Sequence, residues 1–145
     1  MSIIIKFFVA PDDTSAAAIV DRGPTGLFES LDAGNFDAAE AVIEWEGIFT
    51  GRSFEALVSA GEPRMVADPG EDGGPVVFAA SGALRGALAG AAPARLAEVG
   101  ELWIQERAEE GEVFDPEMVG DLLGELANLA RTAAGRGHSL YCWMA

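Results

Sequence analysis

The sequence predicts a single α+β domain over residues 1–145, with a small sheet that includes strands from both ends of the chain and is covered by helices on one or both sides. Three observations predict it. Short β-branched and aromatic runs open and close the sequence. Between them, apolar residues recur at helical spacing and are bounded by capping residues. No linker, repeat or low-complexity tract divides the chain. At 145 residues a chain buries roughly 70% of the surface its unfolded form exposes, and the 50% hydrophobic share argues against disorder. It is expected to fold alone.

Residues 3 to 9, Ile3 to Val9, are rich in β-branched and aromatic side chains and are closed by Pro11-Asp12-Asp13, so they predict a strand. Thr14 or Asp13 can cap a short helix from Ala16 to Val20, which Arg22-Gly23-Pro24-Thr25-Gly26 breaks. A helix is predicted from Asn35 to Glu46, with Phe36, Ala39, Val42 and Ile43 on one face, Asp37, Glu40 and Glu44 pointing away, and Gly47 ending it. Phe54, Leu57 and Val58 share a face of a short helix over Phe54 to Ser59. Short strands at Met65–Ala67 and Val76–Ala80 flank a loop of turn residues, 68–75, expected to be the most mobile part of the chain.

Ser81 can cap a helix over Ala83–Ala89, in which Gly82, Gly86 and Gly90 would line one side and admit a neighbouring backbone. Pro93 suits the first turn of a helix through Glu109, with Leu96, Val99, Leu102 and Trp103 apolar. The clearest helix follows. Asp115 is its N-cap and Pro116 its first residue. Its apolar stripe runs from Met118 and Val119 through Leu122, Leu123, Leu126, Leu129 and Ala130 to Ala133, and Gly135 fits the position just past its end. Residues 138–144 alternate as a strand, with Leu140, Cys142 and Met144 on one face and Tyr141 and Trp143 on the other.

The 24 acidic residues outnumber the 9 basic ones and give a formal net charge of −15. Such a field repels phosphate backbones and anionic membrane surfaces, which excludes charge-driven binding to nucleic acid or membrane. It attracts and steers a basic protein partner; the same charge also serves solubility alone. A lone cysteine, Cys142, excludes an intramolecular disulfide. Met1 to Lys6 has no signal-peptide pattern, and the longest apolar stretch, 76–94, is interrupted by Arg85, so the chain reads as cytoplasmic.

No catalytic or cofactor motif stands out. His138 is the lone histidine, and one His with one Cys is too few for a zinc site, so no metal is expected. On a strand, His138 and Cys142 would lie roughly 13 Å apart, beyond hydrogen-bond reach. The Gly82-x-x-x-Gly86 pattern is neither a P-loop nor a dinucleotide fingerprint, so no cofactor is expected. Asp68, Glu71 and Asp72 lack the ligand spacing of an EF-hand. Glu40 and Glu44 share a helical face and Glu46 follows; such carboxylates serve a binding face or, converging in a cleft, an enzyme. The segment from Glu44 to Arg52 is the most distinctive, joining Trp45, acids, two glycines and Arg52 around a helix end. Trp45 is a surface anchor, a ligand platform or a cover for the core edge.

Trp45-Glu46-Gly47-Ile48-Phe49-Thr50-Gly51, then Pro93-Ala94-Arg95-Leu96, Phe114-Asp115-Pro116 and Leu140-Tyr141-Cys142-Trp143 occur in an order that resembles the YfbM-like family of small bacterial proteins of unknown function. The resemblance implies an α+β fold with strands at both ends; Glu46 stands where the family's block carries a histidine. The candidate binding residues are therefore Glu40, Glu44, Trp45, Glu46 and Arg52. They suit a non-enzymatic acidic protein that meets a basic protein in a regulatory or immunity-type role. The alternative is a small carboxylate-using enzyme or ligand-binding domain with a pocket near Trp45 and Arg52.

Overall fold

A computed structural model describes residues 4–34, 36–68 and 73–145. Its elements, in order, are β1 (Ile5–Ala10), α1 (Asp13–Ala17), β2 (Ser30–Asp32), α2 (Ala38–Thr50), α3 (Phe54–Ser59), β3 (Arg64–Ala67), β4 (Val76–Ala79), α4 (Gly82–Gly90), α5 (Pro93–Glu109), α6 (Pro116–Arg136) and β5 (Ser139–Met144). The strands form one antiparallel sheet in the order β2-β1-β5-β4-β3. The fold is α+β, with the strands from the two ends of the chain paired along their full lengths, Ile5 opposite Met144 and Ala10 opposite Ser139. Among the described residues, no helix is long and apolar enough to cross a membrane.

Strand alternation divides the buried residues between the two faces of the sheet. Ile5, Phe7, Val9, Phe78, Leu140 and Cys142 enter the larger core beneath α2, α4, α5 and α6. Phe8, Val77, Ala79, Tyr141 and Trp143 point the other way into a smaller cluster with Ala16 and Ile19. That face is closed by α1 and the turns after it. Gly23 (φ +83°) lies in those turns, and a Cβ there would stand 3.1 Å from the Trp143 ring. The Trp143 indole donates to the Val20 carbonyl at 2.7 Å.

Several boundaries differ from the sequence expectation for identifiable reasons. Asp12, rather than Asp13 or Thr14, caps α1 by accepting from the Ser15 amide, so the helix starts earlier. The strand β2 has only Leu31 as an apolar residue, and it exists because β1 supplies a partner. The last helix continues to Arg136 and is closed by Gly137 (φ +68°), not Gly135. Gly82, Gly86 and Gly90 do not admit another backbone: nothing lies within 4 Å of where their Cβ atoms would be. Close helix packing occurs instead at Gly100, whose Cβ would stand 3.3 Å from Val119. Phe54, Val58, Leu102 and Met118, expected on apolar faces, are exposed. The predicted starts at Ile3 and Asn35, and half of the predicted loop, including Glu71 and Asp72, lie outside the described residues.

Candidate functional site

The distinctive segment ends α2, and its glycines explain its shape. Asp37 caps the helix by accepting from the Glu40 amide at 3.1 Å. Gly47 does not end it; Gly51 does, in the left-handed conformation at φ +78°, with its amide bonded to the Gly47 carbonyl. After Gly51 the chain doubles back, and the Arg52 carbonyl would stand 2.9 Å from a Cβ on Gly47. Gly47 is therefore where the returning chain crosses the helix. Ser53 then caps α3.

The expected acidic set separates into two environments. Glu40 and Glu44 face α5, where the Arg107 guanidinium lies 3.2 Å from Glu40 and 2.8 Å from Glu44 and also pairs with Glu112. Glu44 further accepts from the Trp103 indole at 3.1 Å. Burial pulls the Arg107 guanidinium down, but hydrogen bonds to Glu44 and Glu112 outweigh it and hold it above its ordinary value. Glu46 turns away and is buried, accepting from the Ser81 hydroxyl at 2.5 Å. Since Ser81 also caps α4 by accepting from the Leu84 amide, Glu46 fastens α2 to the start of that helix. It presses on Glu62, whose carboxyl is raised first by burial and then by the Glu46 charge.

Trp45 is neither a surface anchor nor a pocket wall. It is fully buried against Phe7, Phe36 and Trp103, with the Trp103 ring centre 5.3 Å away. Its indole nitrogen has no hydrogen-bond partner among the described residues.

Arg52 is exposed, and together with Glu40 and Glu44 it borders a groove of about 510 Å³ between α2, the start of α3 and the end of α5. Ile43, Ile48 and Phe54 supply apolar lining, and Glu106, Glu109 and Glu110 add carboxylates. The Glu106 carboxyl is raised, first by burial and then by the charges of Glu44 and Glu109, with Arg107 offsetting part of it. Three of the five expected residues thus meet at one groove; Trp45 and Glu46 do not.

Sequence reasoning missed Trp103, Arg107 and the three carboxylates near the end of α5. The available signal was spacing. Trp103 and Arg107 lie four apart on one helix, and Glu40 and Glu44 lie four apart on another, so the two pairs can meet face to face.

Elsewhere, Cys142 is buried on the helical face of β5, and burial pushes its thiol well up. Among the described residues, no group of three or more His, Cys, Asp or Glu side chains is placed to hold a metal ion.

No family model matches the sequence, and no curated protein matches it. Among solved structures, the chain is similar to a protein of unknown function, YfbM from Escherichia coli. The two are 14% identical over 98% of this chain and 99% of that one, with a TM-score of 0.44. The resemblance read from the sequence is to the same family.

Proposed function

We propose that this is a non-enzymatic binding protein, acting in the cytoplasm in a regulatory or immunity-type role, which docks a basic segment of a partner protein in the groove between α2, α3 and α5. The single observation that carries the reading is the crowding of negative charge there. Burial and then the nearby charges of Glu44 and Glu109 raise the Glu106 carboxyl, and Arg107 offsets only part of it. An arriving lysine or arginine relieves that repulsion, and the Ile48 and Phe54 surfaces receive the apolar stem or a neighbouring residue. The overall charge of −15 steers such a partner in while repelling nucleic acid and anionic membranes.

Capture on the immobilised protein from a lysate of its source cells, eluted by rising salt, tests the reading. Glu106, Glu109 and Glu110 make no ion pairs among the described residues, so a Glu106→Gln, Glu109→Gln, Glu110→Gln variant leaves the fold's own contacts in place. A basic protein held by the wild type and lost by the variant is the expected result. Equal retention on both would exclude this groove.

A further inference from the structure

Another part of the molecule carries a feature that the groove above does not use. The strand β2 is an edge of the sheet, paired on one side with β1. The Val9 amide bonds to the Glu29 carbonyl and the Ala33 amide to the Ile5 carbonyl. Antiparallel pairs alternate between bonded and non-bonded, so Leu31 opposite Phe7 exchanges bonds with β1, whereas Ser30 and Asp32 direct their N–H and C=O groups outward. Two adjoining hollows of about 530 and 370 Å³ flank this free edge, and Asp32 and Glu125 line both. Their other wall is the outer stripe of α6, where Glu117, Asp121 and Glu125 recur at four-residue spacing. Neither hollow has a lysine or arginine in its lining.

We propose that this edge receives an extended, basic segment of a partner protein by strand addition, with main-chain bonds to Ser30 and Asp32 and cationic side chains over the carboxylates of α6. The free backbone groups call for an extended chain, because only a strand presents donors and acceptors at matching intervals. The charge selects the occupant. A second copy of this chain would bring Glu29 and Asp32 against their own like, which is repulsive, whereas alternating lysines meet only carboxylates. The Lys6 ammonium, 3.2 Å from Asp32, belongs to the neighbouring strand and leaves Glu117, Asp121 and Glu125 unmatched. This surface is separate from the α2–α5 groove, and either can exist without the other.

The probe is a short, end-blocked peptide of alternating lysine and valine, compared with the same peptide N-methylated at every backbone nitrogen. Methylation keeps the charge and removes every main-chain donor, and it needs no change to the protein. Amide shifts in the NMR spectrum should concentrate at Ser30, Asp32 and residues 121–128, and methylation should weaken binding by about tenfold or more. Asp121→Asn with Glu125→Gln should weaken the unmethylated peptide and lower its salt dependence, while the Glu106, Glu109 and Glu110 substitutions should leave it unchanged. Equal binding of the methylated peptide, or shifts that spare Ser30 and Asp32, would overturn the proposal and leave the acids as a guard against unwanted edge pairing.

Discussion

On one face of the sheet, four helices bury Phe7, Phe78, Leu140 and Cys142 beneath a continuous apolar layer that includes Trp45, Trp103 and most of the α6 stripe. On the other face, a five-residue helix and a run of turns cover Phe8, Tyr141 and Trp143. The same strands supply both faces, so the contrast lies in the covers. The four helices bring rows of apolar side chains, and α2, α5 and α6 carry acids that line the grooves. The turn-built cover packs a smaller apolar cluster and adds individual polar contacts. Trp143 donates to Val20, Tyr141 donates to Asp13 at 2.8 Å, and Arg64 pairs with Asp13. More of the apolar core lies on the helical face; the other face combines a smaller cluster with a few bonds.

Breaking the helical face should have the largest effect. Trp103→Ala removes a fully buried indole stacked on Phe114 and strips Glu44 of a donor, and it should cost about 4 kcal/mol in urea unfolding. Phe28→Ala on the turn cover, where the ring is only partly buried against Phe8, should cost about 1.5 kcal/mol. Similar losses at the two sites would erase the distinction.

Arg107→Met comes next. It leaves Glu40, Glu44 and Glu112 facing one another without their cation, and because two of the three are partly exposed the loss should be about 2 kcal/mol.

The polar contacts of the thinner face make a pH prediction. Burial, followed by the hydrogen bond to Asp13, raises the single tyrosine from 10.0 to about 12. A neutral form preferred by the fold means that its contribution is complete below the unfolded value and is lost as pH rises from 10.0 toward about 12. Difference absorbance of the tyrosinate should therefore show a midpoint near 12 in the folded protein, and a midpoint at 10.0 would refute it. Asp13 has the opposite sign. Hydrogen bonds from Arg64 and Tyr141 lower its carboxyl, so its contribution is present above the ordinary carboxylate range and fades as pH drops through the lowered value. Tyr141→Phe should cost about 1 kcal/mol and abolish the alkaline transition.

The smallest effects concern glycines within the helical layer. Gly86→Ala meets open space and should gain up to about 1 kcal/mol in thermal unfolding. Gly100→Ala should fall short of that gain, because its methyl meets Val119 at 3.3 Å and Leu123 at 3.4 Å.

The helical face was largely legible in the sequence; on the other face the alternation of Tyr141 and Trp143 was legible, but much of the cover was not. Asp115-Pro116 and the stripe to Ala133 marked α6 because caps and period agree over a long stretch. Ser81 and Pro93 marked the starts of α4 and α5 for the same reason. The strand β2 left no such mark, since a single apolar residue in three carries no period. Gly47 misled because a glycine needed for a tertiary crossing looks identical to one that ends a helix. At the candidate site, Glu40 and Glu44 were legible as a pair, but their commitment to Arg107 and Trp103 depends on how two helices meet. Glu46 and Trp45 sat beside them in sequence and fall on other faces of the same helix.

Native-state amide hydrogen exchange tests the central contrast most directly, because it measures opening free energy segment by segment. Amides of α6, α5 and β5 should exchange only through global unfolding, while those of α1 and the turns to Phe28 should open at a small fraction of that free energy. Equal protection in α1 and α6 would contradict the account.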